Sequence, residues 1–143
     1  MAGRPLGAGP GWSVTDVLCT AGPADRPYEE FHARVAVGMV VGGSFSYRSP
    51  AGRSLMTPGS LLLGNHGQCF ECGHRHAAGD RCVSFSFAPE YFERVAADAG
   101  VPAGARSFRT AALPPLRATA PLVALAAAAV SGAAAPAWEE VAI

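Results

Sequence analysis

The feature that most constrains this chain is a series of short segments in which hydrophobic residues alternate with small or polar ones. In residues 32–41 the odd positions from 35 onward are valine or methionine, whereas the even positions include His32, Arg34, Ala36 and Gly38. Glycine and proline separate such segments about every eight to twelve residues, which predicts a mainly β fold, either a sandwich or a barrel. The predicted strands are 12–19, 32–41, 45–47, 54–57, 60–64, 68–74 and 82–87.

The composition limits the classes of protein to which the chain could belong. Half of its 143 residues are hydrophobic and 15% are charged, which excludes a disordered charged tail. Eleven basic and eleven acidic residues leave no net charge, so we expect no strongly basic DNA-binding surface within this stretch. The longest apolar run, 121–130, is about half the length of a membrane span, and residues 1–11 lack the apolar core of a signal peptide. We therefore expect a cytoplasmic protein with no membrane association, whose four cysteines are thiols or metal ligands.

After Phe87 the pattern changes from strands to helices. Pro89 suits the first turn of a helix and Gly100 suits the position just after one, which predicts a helix over 89–99. The alanine-rich stretch 122–130 predicts a second helix, and 138–143 begins a third. The predicted organisation is a flexible N-terminus (1–11), a β-barrel domain with a closing helix (12–99) and a helical segment (100–143).

The densest group of metal-ligating residue types lies between positions 69 and 82. If 68–76 and 82–87 form a hairpin in which His76 faces Cys82, then Cys72, His74, His76 and Cys82 share one face. These four are the candidate metal ligands, although Cys72 can join the others only if the chain kinks at Gly73. Zinc is the metal that cysteine and histidine would hold.

Three other interpretations of this segment stay open. In the first interpretation, the cysteines are small buried hydrophobic residues and the histidines are solvated near a turn. In the second, a metal site formed by these residues includes Cys19 or His32, from elsewhere in the chain, as a further ligand. In the third, a reversible Cys72–Cys82 disulfide acts as a redox switch. The same register disfavours this interpretation, because the two Cα atoms would lie farther apart than the limit of about 7 Å for a disulfide.

The small residues of 32–41 indicate a second candidate site. Ala36 and Gly38 on the inner face of a barrel strand would leave room for a ligand, with His32 and Arg34 as polar groups at its mouth. Tyr47, on the following predicted strand, is the third candidate ligand-binding residue. Alternatively, the small residues only allow a helix to pack closely against the strand.

Two longer segments resemble the cupin-like sensor domains of AraC-type transcription regulators. The first is 45–52 followed by 55–63, which reads as a strand, a glycine turn, a proline–glycine pair and a second strand. The second is 79–87 followed by 89–93, where the last barrel strand runs into a helix. The resemblance covers roughly residues 12–99 and implies a cupin-like double-stranded β-barrel followed by C-terminal α-helices.

In that family the barrel binds a small effector or carries the dimer contact, and a C-terminal pair of helix-turn-helix units binds promoter DNA. The resemblance therefore implies a ligand- or metal-sensing and dimerisation domain. Its ligand would be a small-molecule effector or a metal ion, its assembly a homodimer, and promoter DNA a partner only through a domain beyond Ile143. The helices from Leu122 onward would correspond to the dimerisation and linker region. The last helix reaches Ile143 without a cap, which leads us to expect further chain beyond it.

Enzymatic cupins hold a metal with a His-x-His pair, a glutamate and a later histidine, and this chain departs from that pattern. The matching pair reads His32-Ala-Arg34, no glutamate follows before Gly52, and only His66 lies near the second motif. Arginine does not ligate metals, so we expect the chain not to be an enzyme. The alternative is a small stand-alone metal-dependent cupin enzyme or binding protein.

Overall fold

The computed structural model of the chain describes residues 2–74 and 79–132, together with Trp138 and Val141. Within these residues, ten strands form two antiparallel sheets, which confirms the prediction of a mainly β fold. In chain order the strands are β1 (Ala2–Gly9), β2 (Trp12–Cys19), β3 (Glu30–Phe31), β4 (Val35–Gly43), β5 (Phe45–Ser49), β6 (Gly52–Met56), β7 (Leu61–Gly64), β8 (Cys69–Gly73), β9 (Asp80–Phe87) and β10 (Ala112–Leu113). The larger sheet has the order β1-β2-β9-β4-β7-β10 and the smaller one has the order β3-β8-β5-β6.

Strand β4 shows how the alternating pattern positions the two faces of the larger sheet. Its odd-numbered residues from Val35 to Met39 lie opposite hydrophobic residues of β9 and pack beneath the helices. Its even-numbered residues Ala36 and Gly38 lie opposite serines of β9 and line the interior of the barrel. The pleat of a strand places alternate side chains on opposite faces, so the predicted division of this segment is confirmed.

The larger sheet buries its outer face in the main hydrophobic core, and the inner face contributes to a second cluster inside the barrel. Each large apolar side chain fully removed from water stabilises the fold by about 1.5–3 kcal/mol. The buried residues of the outer core are Trp12, Val14, Val35, Met39, Leu61, Leu63, Val83, Phe85, Phe87 and Ala126. Those of the inner cluster are Val40, Phe45, Tyr47, Met56, Cys82 and Ala111.

Two helices lie where the sequence predicts them. Helix α1 (Pro89–Asp98) begins with its proline in the first turn and is followed by Gly100 at φ 84°, a conformation that favours glycine. Helix α2 (Ala120–Val130) packs against β4 and β9, with Ala126 fully buried.

The third predicted helix is described only at Trp138 and Val141, both of which are helical. The ring of Trp138 lies 6.2 Å from that of Phe85 in an edge-to-face arrangement. Trp138 therefore packs against the outer face of its own barrel. The remaining residues of 138–143 lie outside the described residues.

Residues 2–9, predicted to be flexible, instead form the edge strand β1. This strand pairs with β2 from Ala2 to Gly9, with one irregularity between Pro5 and Gly7. Proline lacks an N–H and is tolerated on edge strands and at bulges, so a glycine- and proline-rich composition does not exclude a strand here.

The connector between α1 and α2 is also more ordered than its composition suggests. It contains a short 3₁₀ turn at Ala103–Ala105 and the strand β10, which extends the larger sheet by pairing with β7. In the described part of the chain, no helix is long and apolar enough to cross a bilayer.

Candidate functional site

A cavity of about 700 Å³, open to solvent on one side, lies between the two sheets of the barrel. The larger sheet contributes Ala36, Gly38 and Ser84, whose small side chains leave the space open. The smaller sheet contributes Phe45 and Phe70 from the opposite side. The volume lies within the range of about 300–1,000 Å³ that is typical of small-molecule sites.

His32 is buried in the wall of this cavity, just before β4. Its Nε2 lies 2.9 Å from the hydroxyl of Tyr47, which in turn donates to the carbonyl oxygen of Leu63 at 3.1 Å. The imidazole also stacks on Phe70, with ring centroids 4.0 Å apart. Burial lowers the pKa of His32 to about 4 and raises that of Tyr47 to about 12, because the charged form of each group loses its hydration. His32 is therefore neutral at pH 7.

The three candidate ligand-binding residues occupy different positions. His32 lines the cavity, and Tyr47 lies behind it as its hydrogen-bond partner. Arg34 is partly exposed and, among the described residues, is not one of those that line the cavity. The sequence predicts His32 and Arg34 as the polar pair at the site, whereas the structure pairs His32 with Tyr47.

The hairpin predicted from 68–76 and 82–87 is wrong. Strand β8 pairs with β3 and β5 in the smaller sheet, whereas β9 pairs with β2 and β4 in the larger one. Cys72 lies opposite Tyr47, and Cys82 lies between Val17 and Val40. Closeness in sequence does not make the two strands neighbours here, because each finds its partners in a different sheet.

Three of the four predicted metal ligands nevertheless line the same cavity. Cys72 and His74 reach it from the smaller sheet, and Cys82 reaches it from the larger one. His76 lies outside the described residues. The predicted set therefore meets across the barrel rather than on one face of a hairpin.

A different group of three residues holds the most compact set of metal-ligating atoms in the described part of the chain. One ligand atom each from Cys19, His74 and Asp80 lies within 4.8 Å of the others. Nε2 of His74 is 2.5 Å from Oδ2 of Asp80, and Oδ1 of Asp80 accepts a weak hydrogen bond from Sγ of Cys82 at 3.8 Å. Cys19 was a secondary candidate from the sequence. Asp80 was missed, although a carboxylate at the start of a buried strand is a signal that could have identified it.

The thiols of Cys72 and Cys82 are not activated as nucleophiles. Burial, together with nearby negative groups that include Asp80, raises the pKa of Cys72 to about 12 and raises that of Cys82 further. The thiolate is the reactive form of cysteine, so both side chains remain protonated thiols at pH 7.

Comparison with known proteins identifies the fold. No family model matches the chain, and no curated protein sequence matches it. A cupin-superfamily protein from Desulfitobacterium hafniense is 8% identical over 61% of this chain and 76% of its own, with a TM-score of 0.50. The Cnp3 cupin domain of Schizosaccharomyces pombe is 10% identical over 65% and 64%, with a TM-score of 0.54.

An enzyme also has this architecture. The DMSP lyase DddQ from Ruegeria pomeroyi is 12% identical over 62% of this chain and 47% of its own, with a TM-score of 0.52. At these identities the similarities establish the fold and nothing further. The fold of this chain is that of a cupin, a double-stranded β-barrel with C-terminal helices.

Proposed function

We propose that this chain is the ligand-sensing and dimerisation domain of an AraC-type transcription regulator whose helix-turn-helix domain lies beyond it. The observation that carries the proposal is the cavity of about 700 Å³, with the buried His32 in its wall. Its lining combines the rings of Phe45 and Phe70 with many polar and charged side chains, which could orient a polar small molecule.

A single strand supplies the physical link between the cavity and the helical segment. The even-numbered residues Ala36 and Gly38 of β4 line the cavity, whereas Met39 on its other face belongs to the same core cluster as Ala126 of α2. A ligand that binds more tightly to one position of β4 would therefore favour one position of α2. Coupling of this kind is what a sensor needs to act on an attached DNA-binding domain.

The ligand-binding part of the proposal is tested by thermal unfolding in the presence of a panel of small organic molecules. A ligand that binds only the folded state raises Tm. Ala36→Leu, which adds bulk to the cavity wall, should abolish the rise, whereas Ala105→Leu at an exposed position should retain it. Retention of the rise in Ala36→Leu would place the ligand outside the barrel and contradict the proposal.

The regulatory part is tested by the coding sequence downstream of codon 143. Two helix-turn-helix patterns with a basic recognition helix would support it, since these are the elements that enter the major groove. A stop codon within one or two helical turns would overturn it.

The alternative is a small metal-dependent cupin enzyme or binding protein, favoured by the position of His32 on the cavity wall. Metal analysis of two variants separates the candidates. Loss of bound metal in His32→Ala favours the enzyme, because His32 matches the first histidine of the enzymatic pattern. Retention there, with loss in Cys82→Ser, would assign the metal to the cysteine and histidine residues that line the same cavity.

A further inference from the structure

Three potential metal ligands from three different elements converge on the cavity. Cys19 is the last residue of β2, His74 directly follows β8, and Asp80 is the first residue of β9. Their ligand atoms lie within 4.8 Å of one another, and all three residues line the cavity. Because β2 and β9 belong to the larger sheet and β8 to the smaller one, the cluster connects the two walls of the barrel.

We propose that Cys19, His74 and Asp80 bind one zinc ion. Thiolate sulfur, imidazole nitrogen and carboxylate oxygen are the donors that zinc takes in proteins, usually four in a tetrahedral arrangement. Calcium and magnesium prefer oxygen donors only, so the sulfur and nitrogen argue against them. Three protein ligands leave the fourth position for water or for a ligand in the cavity.

The electrostatics of the cluster favour a bound cation. Cys19 and His74 are each 7% exposed and Asp80 is 9% exposed. The hydrogen bonds of Asp80 within the described residues go to His74 and Cys82, and no arginine pairs with it. Among the described residues its one basic neighbour is the imidazole of His74. A buried carboxylate is costly unless its charge is balanced, and a divalent ion would balance it.

The charges and hydrogens balance when zinc binds. Cys19 loses its thiol hydrogen to solvent as the Zn–S bond forms, and the resulting thiolate and the Asp80 carboxylate offset the two charges of the ion. The hydrogen between Nε2 of His74 and Asp80 moves to Nδ1 of the same ring, so His74 binds as a neutral ligand. The rest of the cavity adds Asp25 and Glu30 to its lining against the single guanidinium of Arg26, which favours entry of a cation.

This site differs from the set predicted from the sequence, with which it shares only His74. Cys72 and Cys82 line the same cavity without belonging to the group within 4.8 Å. The zinc site depends on the barrel alone and not on the proposed role in transcription, so one proposal can fail while the other holds.

The test is a titration of the purified, metal-free 143-residue chain with Co²⁺, which reports on its ligands by colour where zinc does not. We expect one Co²⁺ per chain, a sulfur-to-cobalt charge-transfer band, and loss of that band when Zn²⁺ is added. Cys19→Ser should abolish the band and weaken binding by more than about tenfold, since even outer partners of a metal site cost that much. Cys69→Ser is the matched control, because Cys69 is exposed and is not among the residues that line the cavity.

Absence of stoichiometric binding would overturn the proposal, as would a Cys19→Ser variant with an unchanged band. Loss of the band in Cys72→Ser or Cys82→Ser, with Cys19→Ser unaffected, would place the metal elsewhere and also overturn it. If circular dichroism shows that Cys19→Ser is unfolded, His74→Gln and Asp80→Asn decide the question. Both must bind Co²⁺ more weakly than Cys69→Ser, and wild-type affinity in either contradicts the assignment.

Discussion

The hydroxyl oxygen of Tyr47 lies 2.9 Å from Nε2 of His32, and both side chains are buried in the wall of the cavity. Because the single hydroxyl hydrogen of Tyr47 is donated to the carbonyl of Leu63, the hydrogen between the two side chains belongs to His32. This arrangement assigns the neutral tautomer with the hydrogen on Nε2, which leaves Nδ1 as an acceptor. The pair therefore fixes both the orientation and the hydrogen-bonding character of the imidazole.

Removing the Tyr47 hydroxyl should destabilise the protein. Tyr47→Phe leaves the buried N–H of His32 and the carbonyl of Leu63 without their partner, a loss that costs about 1–3 kcal/mol. The free energy of unfolding in urea measures the effect. Tyr28→Phe is the control, because Tyr28 is 64% exposed and should unfold like the wild type. Equal stability of Tyr47→Phe and Tyr28→Phe would contradict the hydrogen-bonded pair.

The lowered pKa of His32 predicts how stability changes with pH. Its folded-state pKa is about 4, whereas an unfolded histidine titrates near 6.5, so between these values the unfolded state binds more protons. The contribution of His32 to stability should therefore be constant above about pH 6.5 and fall as the pH decreases towards 4, by up to about 3 kcal/mol.

Urea unfolding at a series of pH values checks this prediction. His32→Gln should be less stable at pH 7 but should show a smaller decrease in stability between pH 6.5 and 4. His66→Gln, at an exposed turn, should retain the full decrease. An unchanged decrease in His32→Gln would show that another group causes it.

The sequence predicts which residues of a strand share a face, because the pleat of the strand determines that division. The alternation in 32–41 places Ala36 and Gly38 on the face opposite the odd-numbered hydrophobic residues, because neighbours along a strand point to opposite faces whatever the strand pairs with. Whether that face lines a cavity or packs under a helix stayed open, and the structure places it at the cavity. The breaks at Pro89 and Gly100 located α1 for an equally local reason.

Pairing between strands is not local, and there the predictions failed. The segments before and after Gly79 suggested a hairpin, but β8 and β9 joined different sheets, so the predicted register between Cys72, His74 and Cys82 was wrong. For the same reason Asp80 was overlooked. Its closeness to Cys19 depends on the pairing of β2 with β9, which places the two residues opposite each other.

Gly64 on the inner face of β7 should not tolerate a side chain. A Cβ at this position would overlap the imidazole of His32, and packing of this kind into a filled site costs about 1–3 kcal/mol. Urea unfolding of Gly64→Ala should show this loss. Gly104→Ala is the control, because an added Cβ there meets nothing within 4 Å. If both variants match the wild type, His32 does not occupy the position described.

Asp16 connects the edge of the larger sheet to the end of α2. Its carboxylate accepts hydrogen bonds from Nε and Nη2 of Arg81 at 2.9 and 2.6 Å and from Arg4 at 3.1 Å. Arg81 also reaches the carbonyl of Val130, the last residue of α2, at 3.4 Å. The hydrogen bonds from Arg81 hold the pKa of Asp16 below its usual range.

Asp16→Asn should therefore lower the free energy of unfolding at pH 7 by about 1–3 kcal/mol. The expected loss of stability is small because both arginines are partly exposed, so water can solvate their guanidinium groups when the carboxylate is removed. The difference from wild type should shrink as the pH falls below about 4, because the unfolded carboxyl then takes up a proton, whereas the folded one, with its lowered pKa, does so only at a still lower pH. Asp98→Asn, at an exposed helix end, should change stability little at either pH. A difference that stays constant down to pH 2 would exclude the charge as its cause.

In the proposed dimer, a second copy of the chain would cover the apolar surface of helix α2. The helix contains no charged residue, and only Ala126 is buried among its eleven positions, while Leu122 and the preceding Leu116 are each 40% exposed. A helix that is apolar on all sides is usually buried, and a contact about a two-fold axis would bring the same residues of two copies together.

Leu122→Asp should therefore shift the chain from dimer to monomer. Two buried aspartates facing each other across such an axis should weaken association by about 100-fold, equivalent to about 2.8 kcal/mol. Sedimentation equilibrium of the wild type and the variant measures the change. Leu55→Asp introduces the same charge at a leucine that is 57% exposed on the smaller sheet, and it should leave the dimer intact. Dissociation by Leu55→Asp but not by Leu122→Asp would place the interface on the smaller sheet, and a wild type that is monomeric at every concentration would exclude the dimer itself.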